Sequence, residues 1–228
     1  MVMKNNSAAV SAEPETPIDR RAQLLRKLLQ RDIRPAPAIE PVPRPAHAWP
    51  LRLPASASQR RLWFIDQMGV GAKAYYVSAT LTFTGQLDPA VLGRALDALV
   101  QRHESLRTTF VDVAGEPQQQ IEREGTFELR QMDLRNGDEP RRRTLVDEQR
   151  ALEREERFDL SSGPLIRGRL LRLADDEYLL LITVHHIISD GWSIGILFRE
   201  LAALYTAFSN QQTPSLPELP IQYADFAV

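Results

Sequence analysis

The sequence predicts an α+β fold in which helices flank a mixed β-sheet. Segments typical of strands alternate with longer segments of helical periodicity over most of the 228 residues. The segment Tyr75–Thr84 alternates apolar with Ser or Thr side chains, which indicates a strand with one covered face. The run Leu179–Val184 is apolar without a break and is bounded by a charged turn, which indicates a fully buried strand.

The composition argues against several classes of protein. The net charge is −2, so no overall field attracts nucleic acid or an anionic membrane surface. No apolar run has the length of a membrane span, and the polar N-terminus has no signal-peptide core. The chain has no cysteine, which excludes disulfides, a thiolate nucleophile and cysteine zinc sites and is what we expect of a cytoplasmic protein.

Proline is concentrated in the first quarter of the chain, which therefore differs in composition from the remaining three quarters. We predict a disordered tail over 1–15, because it is small and polar. Residues 16–33 are predicted to form a basic amphipathic helix with Thr16 as N-cap, which either docks a partner or packs on the chain's own globular part. Residues 34–50 are predicted to be a semi-rigid, proline-rich linker. The globular part then extends over 51–228.

Helix starts in the globular part are marked by capping residues. Ser56 followed three residues later by Gln59 is a capping-box pattern, and Asp88 before Pro89 is a second helix start. The other boundaries follow from apolar periodicity and turn residues. The predicted elements are, in order, a helix to about Met68, a strand Tyr75–Thr84, a helix to about Arg102, a hairpin of Arg107–Val113 and Gln118–Ile121, a strand Phe127–Met132, a helix Glu139–Arg157, a hairpin of Leu165–Leu173 and Glu177–Val184, and a helix Trp192–Phe208.

Two of these helices carry expectations about burial. The helix Glu139–Arg157 is highly charged, and its narrow apolar side consists of Leu145, Val146 and Leu152. We expect these three side chains to face the core. At the start of the last helix, Trp192 is expected to be a core residue rather than a substrate contact.

A pair of histidines, His185 and His186, stands at the C-terminal end of the buried strand. Neighbouring side chains on a strand point to opposite faces, so only one of the two can face a given cleft. A glycine and a helix start come soon after, and such strand ends often carry the chemistry of α/β proteins. One histidine is therefore a candidate general base. The alternative is a buried histidine that hydrogen-bonds to the backbone.

Two other interpretations of this stretch are weaker. A metal site made of the histidine pair and Asp190 would usually need three or four ligands, and the chain has only two further histidines and no cysteine. A serine nucleophile at Ser189 or Ser193 is disfavoured because neither residue lies in a GxSxG-type turn.

Four motifs carry a resemblance to a known family. The stretch VHHIISDGWS (184–193) resembles the HHxxxDG signature of the condensation domains of non-ribosomal peptide synthetases. Three further stretches resemble motifs of that family in the same order: SASQRRLWFIDQM (56–68) resembles SxAQxRLWxL, RHESLRTTF (102–110) resembles RHExLRTxF, and YADFAV (223–228) resembles YxDFAVW. Four motifs in order are highly specific. The resemblance extends from Leu51 to the end.

The resemblance implies a chloramphenicol acetyltransferase-like fold of two lobes, and the length suffices only for the first. It implies an acyltransferase that joins an upstream acyl or peptidyl thioester to the amine of a downstream aminoacyl thioester. The implied partners are the upstream and downstream carrier domains with their phosphopantetheine arms, an upstream synthetase or polyketide synthase subunit, and an adjacent adenylation domain. No cofactor, metal, nucleic acid or membrane is implied. We expect the chain alone to be inactive, and the alternative is an inert docking module.

The resemblance also assigns roles to the histidine pair. His186 matches the second histidine of the family motif, so we predict that it acts as the base or positions the amine. His185 points the other way on the strand and is predicted to be structural.

Asp190 has two interpretations. It either orients His186 as in a catalytic triad or forms a buried ion pair that shapes the loop. The resemblance favours the ion pair, with Arg102 or Arg107 as partner, and of these we prefer Arg102. We therefore expect loss of Asp190 to destabilise the fold by about 3–5 kcal/mol. Gly191 either lets the backbone approach the substrate, with its N–H serving the oxyanion, or is an ordinary turn glycine.

Overall fold

The computed structural model describes residues 39–69 and 71–228. The predicted tail 1–15, the predicted helix 16–33 and the start of the predicted linker lie outside the described residues. The elements are β1 (Leu51–Pro54), α1 (Ala57–Gln67), β2 (Tyr76–Thr84), α2 (Pro89–Arg102), β3 (Thr108–Val113), β4 (Glu116–Ile121), β5 (Leu129–Asp133), α3 (Glu139–Glu155), β6 (Ile166–Arg172), β7 (Glu177–His185), α4 (Gly191–Ser209) and α5 (Tyr223–Phe226), with 3₁₀ turns at Ala72–Tyr75 and Glu104–Arg107.

The strands divide between two sheets, where the sequence predicted one. A three-stranded antiparallel sheet has the order β1-β4-β3. A four-stranded sheet has the order β2-β7-β6-β5 and is mixed, because β5 runs parallel to β6 while the other pairs are antiparallel. The predicted mixed sheet is this second one. Its strand β7 lies between two neighbours, and every residue from Tyr178 to His185 is buried, as the apolar run predicts.

The predicted helix starts are confirmed by the caps. The Ser56 Oγ accepts from the backbone N–H of Gln59 at 3.2 Å, and the Gln59 Oε1 accepts from the N–H of Ser56 at 2.9 Å. Asp88 caps α2 by accepting from the N–H groups of Ala90 and Val91. These bonds satisfy N–H groups that have no partner within the helix, so the sequence signals were sufficient here.

The core lies on both faces of the four-stranded sheet. On one face α2 and α4 pack together over Leu180, Ile182 and Val184 of β7. On the other face Val146 of α3 packs against Leu179, Leu181 and further apolar residues. None of the helices in the described part of the chain is long and apolar enough to span a membrane.

The predicted inner face of α3 is partly wrong. Val146 is buried, but Leu152 is 49% exposed, and Gln149 and Glu153 are buried instead. Glu153 faces inward because two arginines of β6 meet it from the sheet. Trp192 also departs from the expectation, since it is 79% exposed rather than in the core.

Residues 39–50, which we call the strap, belong to the packed unit that begins at Ile39. They correspond to the second part of the predicted linker and contain no helix or strand. Val42, Ala48 and Trp49 of the strap pack on a small apolar cluster of the three-stranded sheet and α5. The strap therefore packs on the globular part that is predicted to begin at residue 51.

Candidate active site

The backbones of His185 and His186 hydrogen-bond to segments on opposite sides of β7. The His185 N–H donates to the Leu165 carbonyl at 2.9 Å, while the His186 N–H donates to the Tyr75 carbonyl on the opposite neighbour at 2.7 Å. Strand β7 ends between them. The His185 side chain is 1% exposed, whereas the His186 side chain is exposed. Only one imidazole of the pair is therefore accessible to a substrate.

His186 lines a cavity of about 480 Å³ at the end of β7. We call it the histidine cavity. Its walls come from α1, from the turn before β2, from the loop that joins β7 to α4, and from α5. The lining residues are Ser58, Gln59, Arg61, Leu62, Tyr75, His186, Ile187, Ile188, Ser189, Asp190, Ser193 and Tyr223.

Several cavity residues had no functional assignment from the sequence. Tyr75 was only the start of a predicted strand, and Tyr223 only part of a motif. Gln59 was expected to support α1, yet its amide also donates to the carbonyl of Ile187, next to His186, at 3.3 Å. The available signal was that two of the family motifs contain Tyr223 and Gln59.

His185 is held as a neutral, buried imidazole. Its Nδ1 accepts from the Ile187 N–H at 3.1 Å, and its Nε2 is buried without a partner among the described residues. The rings of Tyr76 and Phe158 surround it edge-on. Burial, assisted by the neighbouring His186, lowers the pKa of His185 to about 4. These contacts support the predicted structural role.

This environment makes the stability of the fold depend on pH. The pKa of His185 is about 4 in the folded chain and about 6.5 when unfolded. The unfolded state therefore binds more protons between these values, and the free energy of unfolding decreases as the pH falls through this window, by up to about 3 kcal/mol. Urea unfolding at pH 7 and pH 4.5 measures this change.

The matched control is His185→Asn, whose side-chain oxygen can still accept from the Ile187 N–H. This variant should lose less stability than the wild type between the two pH values. An equal loss in both proteins would contradict the assignment.

Asp190 is the N-cap of α4. Its Oδ1 accepts from the backbone N–H of Ser193 at 2.8 Å and from the Ser193 hydroxyl at 2.6 Å. The hydrogen bonds from Ser193 hold the pKa of Asp190 below its ordinary value. Among the described residues, no hydrogen bond joins Asp190 to His186, so the triad interpretation gains no support.

The predicted ion pair of Asp190 with Arg102 or Arg107 is corrected by the structure. Arg102 pairs with Glu200 at 3.1 Å and donates to the Pro217 carbonyl. Arg107 donates to the Glu122 carbonyl, and burial lowers its pKa. Neither arginine pairs with Asp190 within the described residues. The motif order placed these residues in one lobe, but it could not specify which charges meet.

As a helix cap, Asp190 is expected to contribute less to the free energy of unfolding than a buried ion pair would. Asp190→Ala should lower the free energy of unfolding by about 1 kcal/mol, because the N–H of Ser193 loses its acceptor. Asp190→Asn keeps an acceptor oxygen and should change it by only a few tenths of that amount. Urea unfolding distinguishes the two, with the exposed Asp176→Ala as control. A loss of several kcal/mol in Asp190→Asn would restore the buried-pair interpretation.

Gly191 is the first residue of α4 and is exposed. Nothing lies within 4 Å of the position that a Cβ would take, and its φ is not in the left-handed region. The described residues therefore give no steric reason for glycine here. Among them, no group of three or more His, Cys, Asp or Glu side chains is arranged to hold a metal ion.

Comparison with known proteins identifies the family. The family model of the condensation domain matches residues 52–228. The chain therefore belongs to the condensation-domain family. It is 45% identical over 177 residues to chondramide synthase cmdD of Chondromyces crocatus, a match that covers 77% of this chain and 4% of that protein. It is 44% identical over 206 residues to phosphinothricin tripeptide synthetase PhsC of Streptomyces viridochromogenes, covering 89% of this chain and 19% of that protein.

Solved structures agree with this assignment. The X-domain from teicoplanin biosynthesis is 34% identical with a TM-score of 0.69, over 84% of this chain and 39% of that chain. The starter condensation domain of rhizomide synthetase RzmA has a TM-score of 0.68 at 22% identity, over 75% of this chain and 41% of that chain. The second likeness concerns the fold alone. The predicted family and α+β fold class are confirmed, and this chain spans well under half of the solved chains.

Proposed function

We propose that this chain supplies one lobe of a condensation active site that forms an amide bond between two carrier-bound substrates. The donor is an acyl or peptidyl thioester and the acceptor is the amine of an aminoacyl thioester. The observation that carries the proposal is the exposed His186 imidazole, which lines a cavity of about 480 Å³ within the family's HHxxxDG motif. The upstream and downstream carrier domains would bring both substrates on phosphopantetheine arms.

The reaction makes one demand that His186 can meet. The amine nitrogen attacks the thioester carbonyl, the C–N bond forms, and the C–S bond then breaks to release a thiolate. The attacking nitrogen must lose a proton, which passes to a base and finally to the thiolate. An α-amine has a pKa near 8, so part of it is already neutral at cellular pH. His186 would accept the proton or hold the amine in place.

The cavity needs a second wall to position both substrates. Correct placement of two reactants contributes as much as about 7–11 kcal/mol of the barrier, far more than one general base. This chain spans 39–41% of the solved chains that it matches. The remaining part of the fold would complete the cavity.

A reconstitution experiment tests the function. A complete condensation domain whose first lobe is this chain is mixed with both loaded carriers, and product is followed by mass spectrometry. We expect amide product from the complete domain and none above background from the 228-residue chain alone. Carriers without loaded substrate are the control. Absence of product from the complete domain would contradict the function, and comparable turnover by the chain alone would show that the second lobe is not needed.

A further inference from the structure

Arg44 of the strap forms a buried ion cluster with two acidic residues distant in sequence. Its Nε and Nη2 donate to the two oxygens of Glu104 at 3.0 and 2.8 Å. Its Nη1 donates to the Oδ1 of Asp225 at 2.5 Å. The side chains of Arg44, Glu104 and Asp225 are 19%, 6% and 1% exposed. The planar guanidinium is suited to this arrangement because it presents separate N–H groups to two carboxylates.

The cluster is unusual because Arg44 lies outside the family match, which begins at residue 52. Glu104 lies in the motif 102–110, and Asp225 lies in the motif 223–228. The hydrogen bond to Glu104 raises the pKa of Arg44. Burial alone would raise the pKa of Asp225, but the N–H groups of Gln222 and Val42 and the Arg44 guanidinium together lower it. Both shifts favour the charged forms of Arg44 and Asp225 at neutral pH.

The turn Gln222–Phe226 is hydrogen-bonded to this cluster. It contains only the four-residue helix α5, which is too short to be stable without tertiary contacts. Asp225 caps it by accepting from the Gln222 N–H at 2.7 Å and also accepts from the Val42 N–H of the strap at 3.0 Å. The Gln222 side chain in turn accepts from the Glu104 N–H at 3.1 Å. The Arg44 guanidinium therefore joins Glu104 to Asp225, two residues that are also linked through Gln222.

The same turn forms one wall of the histidine cavity. Tyr223 lines the cavity, and its hydroxyl lies 3.0 Å from the Oγ of Ser56, the N-cap of α1. The capping box links Ser56 to Gln59, whose amide donates to the carbonyl of Ile187 beside His186. A continuous set of polar contacts therefore runs from the strap to the histidine loop.

We propose that Arg44 is a positioning residue of the histidine cavity: held between Glu104 and Asp225, it fixes the Gln222–Phe226 turn so that Tyr223 forms a cavity wall. The strap is then part of the site and not only a linker to it. The relevance of this wall to catalysis rests on the proposed function, but its geometry does not.

Hydrogen–deuterium exchange of the 228-residue chain measures the first consequence. Arg44→Met keeps most of the side-chain length and removes the charge. We expect it to raise amide exchange in 222–227 and 104–107 by about tenfold or more, because charge-assisted hydrogen bonds that close these segments are lost. Exchange in β7 should stay unchanged. The matched control is Arg52→Met, since Arg52 is an exposed arginine of β1 whose guanidinium donates to the Gln120 side chain and, among the described residues, forms no ion pair.

A second readout reports on the cavity itself. The rate at which diethyl pyrocarbonate modifies His186, followed by peptide mass mapping, should rise severalfold in Arg44→Met and stay at the wild-type value in Arg52→Met. Arg44→Lys retains the charge, but its single ammonium cannot replace the fork. Arg44→Lys should raise amide exchange and the modification rate of His186 at the same positions but by smaller factors. It serves as the test if Arg44→Met does not fold.

Three results would overturn the proposal. These are wild-type exchange in 222–227, an equal increase of exchange throughout the chain, or loosened 222–227 amides with an unchanged modification rate of His186. The second result would mean that the ion cluster only stabilises the fold. None of these measurements involves turnover, so failure of the proposed function would be seen separately, in the reconstitution experiment.

Discussion

A complete condensation domain that carries His186→Ala is expected to form amide product about 10²–10⁴-fold more slowly than the wild type, which is the usual contribution of one general acid–base group. The fold should be retained, because the His186 side chain is exposed and lies outside the core. The measurement is the rate of product formation from loaded carriers, beside a urea unfolding curve.

The neighbouring histidine provides the matched control. His185→Ala removes a buried ring that packs against Tyr76 and Phe158, so it should lose more stability and less rate than His186→Ala. Carrier binding should be the same in both variants. A His186→Ala domain with the wild-type rate would refute the assignment. If the rate decreased only in proportion to the folded fraction, His186 would be structural.

The largest expected stability effect lies between α3 and strand β6. Glu153 of α3 accepts from the Nε of Arg167 at 3.1 Å and from the Nε of Arg169 at 2.6 Å. The side chains of Glu153 and Arg167 are 3% and 8% exposed, and the Arg167 guanidinium stacks 3.9 Å from the ring centre of Phe158. Glu153→Ala leaves this guanidinium buried without its carboxylate. We expect the free energy of unfolding to decrease by about 3–5 kcal/mol.

Urea unfolding of the 228-residue chain measures this loss. Glu148→Ala is the control, because Glu148 lies on the same helix and is exposed. Glu153→Gln keeps an acceptor oxygen and should lose less stability than Glu153→Ala. A decrease below about 1 kcal/mol in Glu153→Ala, the value typical of an exposed pair, would show that the buried ion pair contributes little.

Local sequence signals were sufficient where one short segment carries all the necessary interactions. The capping box of Ser56 and Gln59 and the N-cap at Asp88 involve residues two or three positions apart, so they could be recognised without the fold. The unbroken apolar run of β7 indicated that both faces of this strand are buried. Four motifs in order indicated the family, and the divergence of His185 and His186 followed from strand geometry alone.

The partners of the charged groups were decided only by the tertiary structure. Arg44 meets Glu104 and Asp225, which are 60 and 181 positions away. An ion pair depends on the distance between two charges, and sequence order does not give that distance. For this reason Asp190 was assigned to an arginine although it caps α4.

For the same reason, the sequence did not predict which side chains of α3 face the sheet. Leu152 was expected inside, because helical periodicity reports the polarity of a helix but not that of the sheet beneath it. The arginines of β6 made a carboxylate the better neighbour at that position.

The sequence by itself determined the family, the elements and the accessible histidine, because these follow from local pattern. The assembled fold decided which charges pair and which side chains close the cavity, because those contacts form only when distant segments meet.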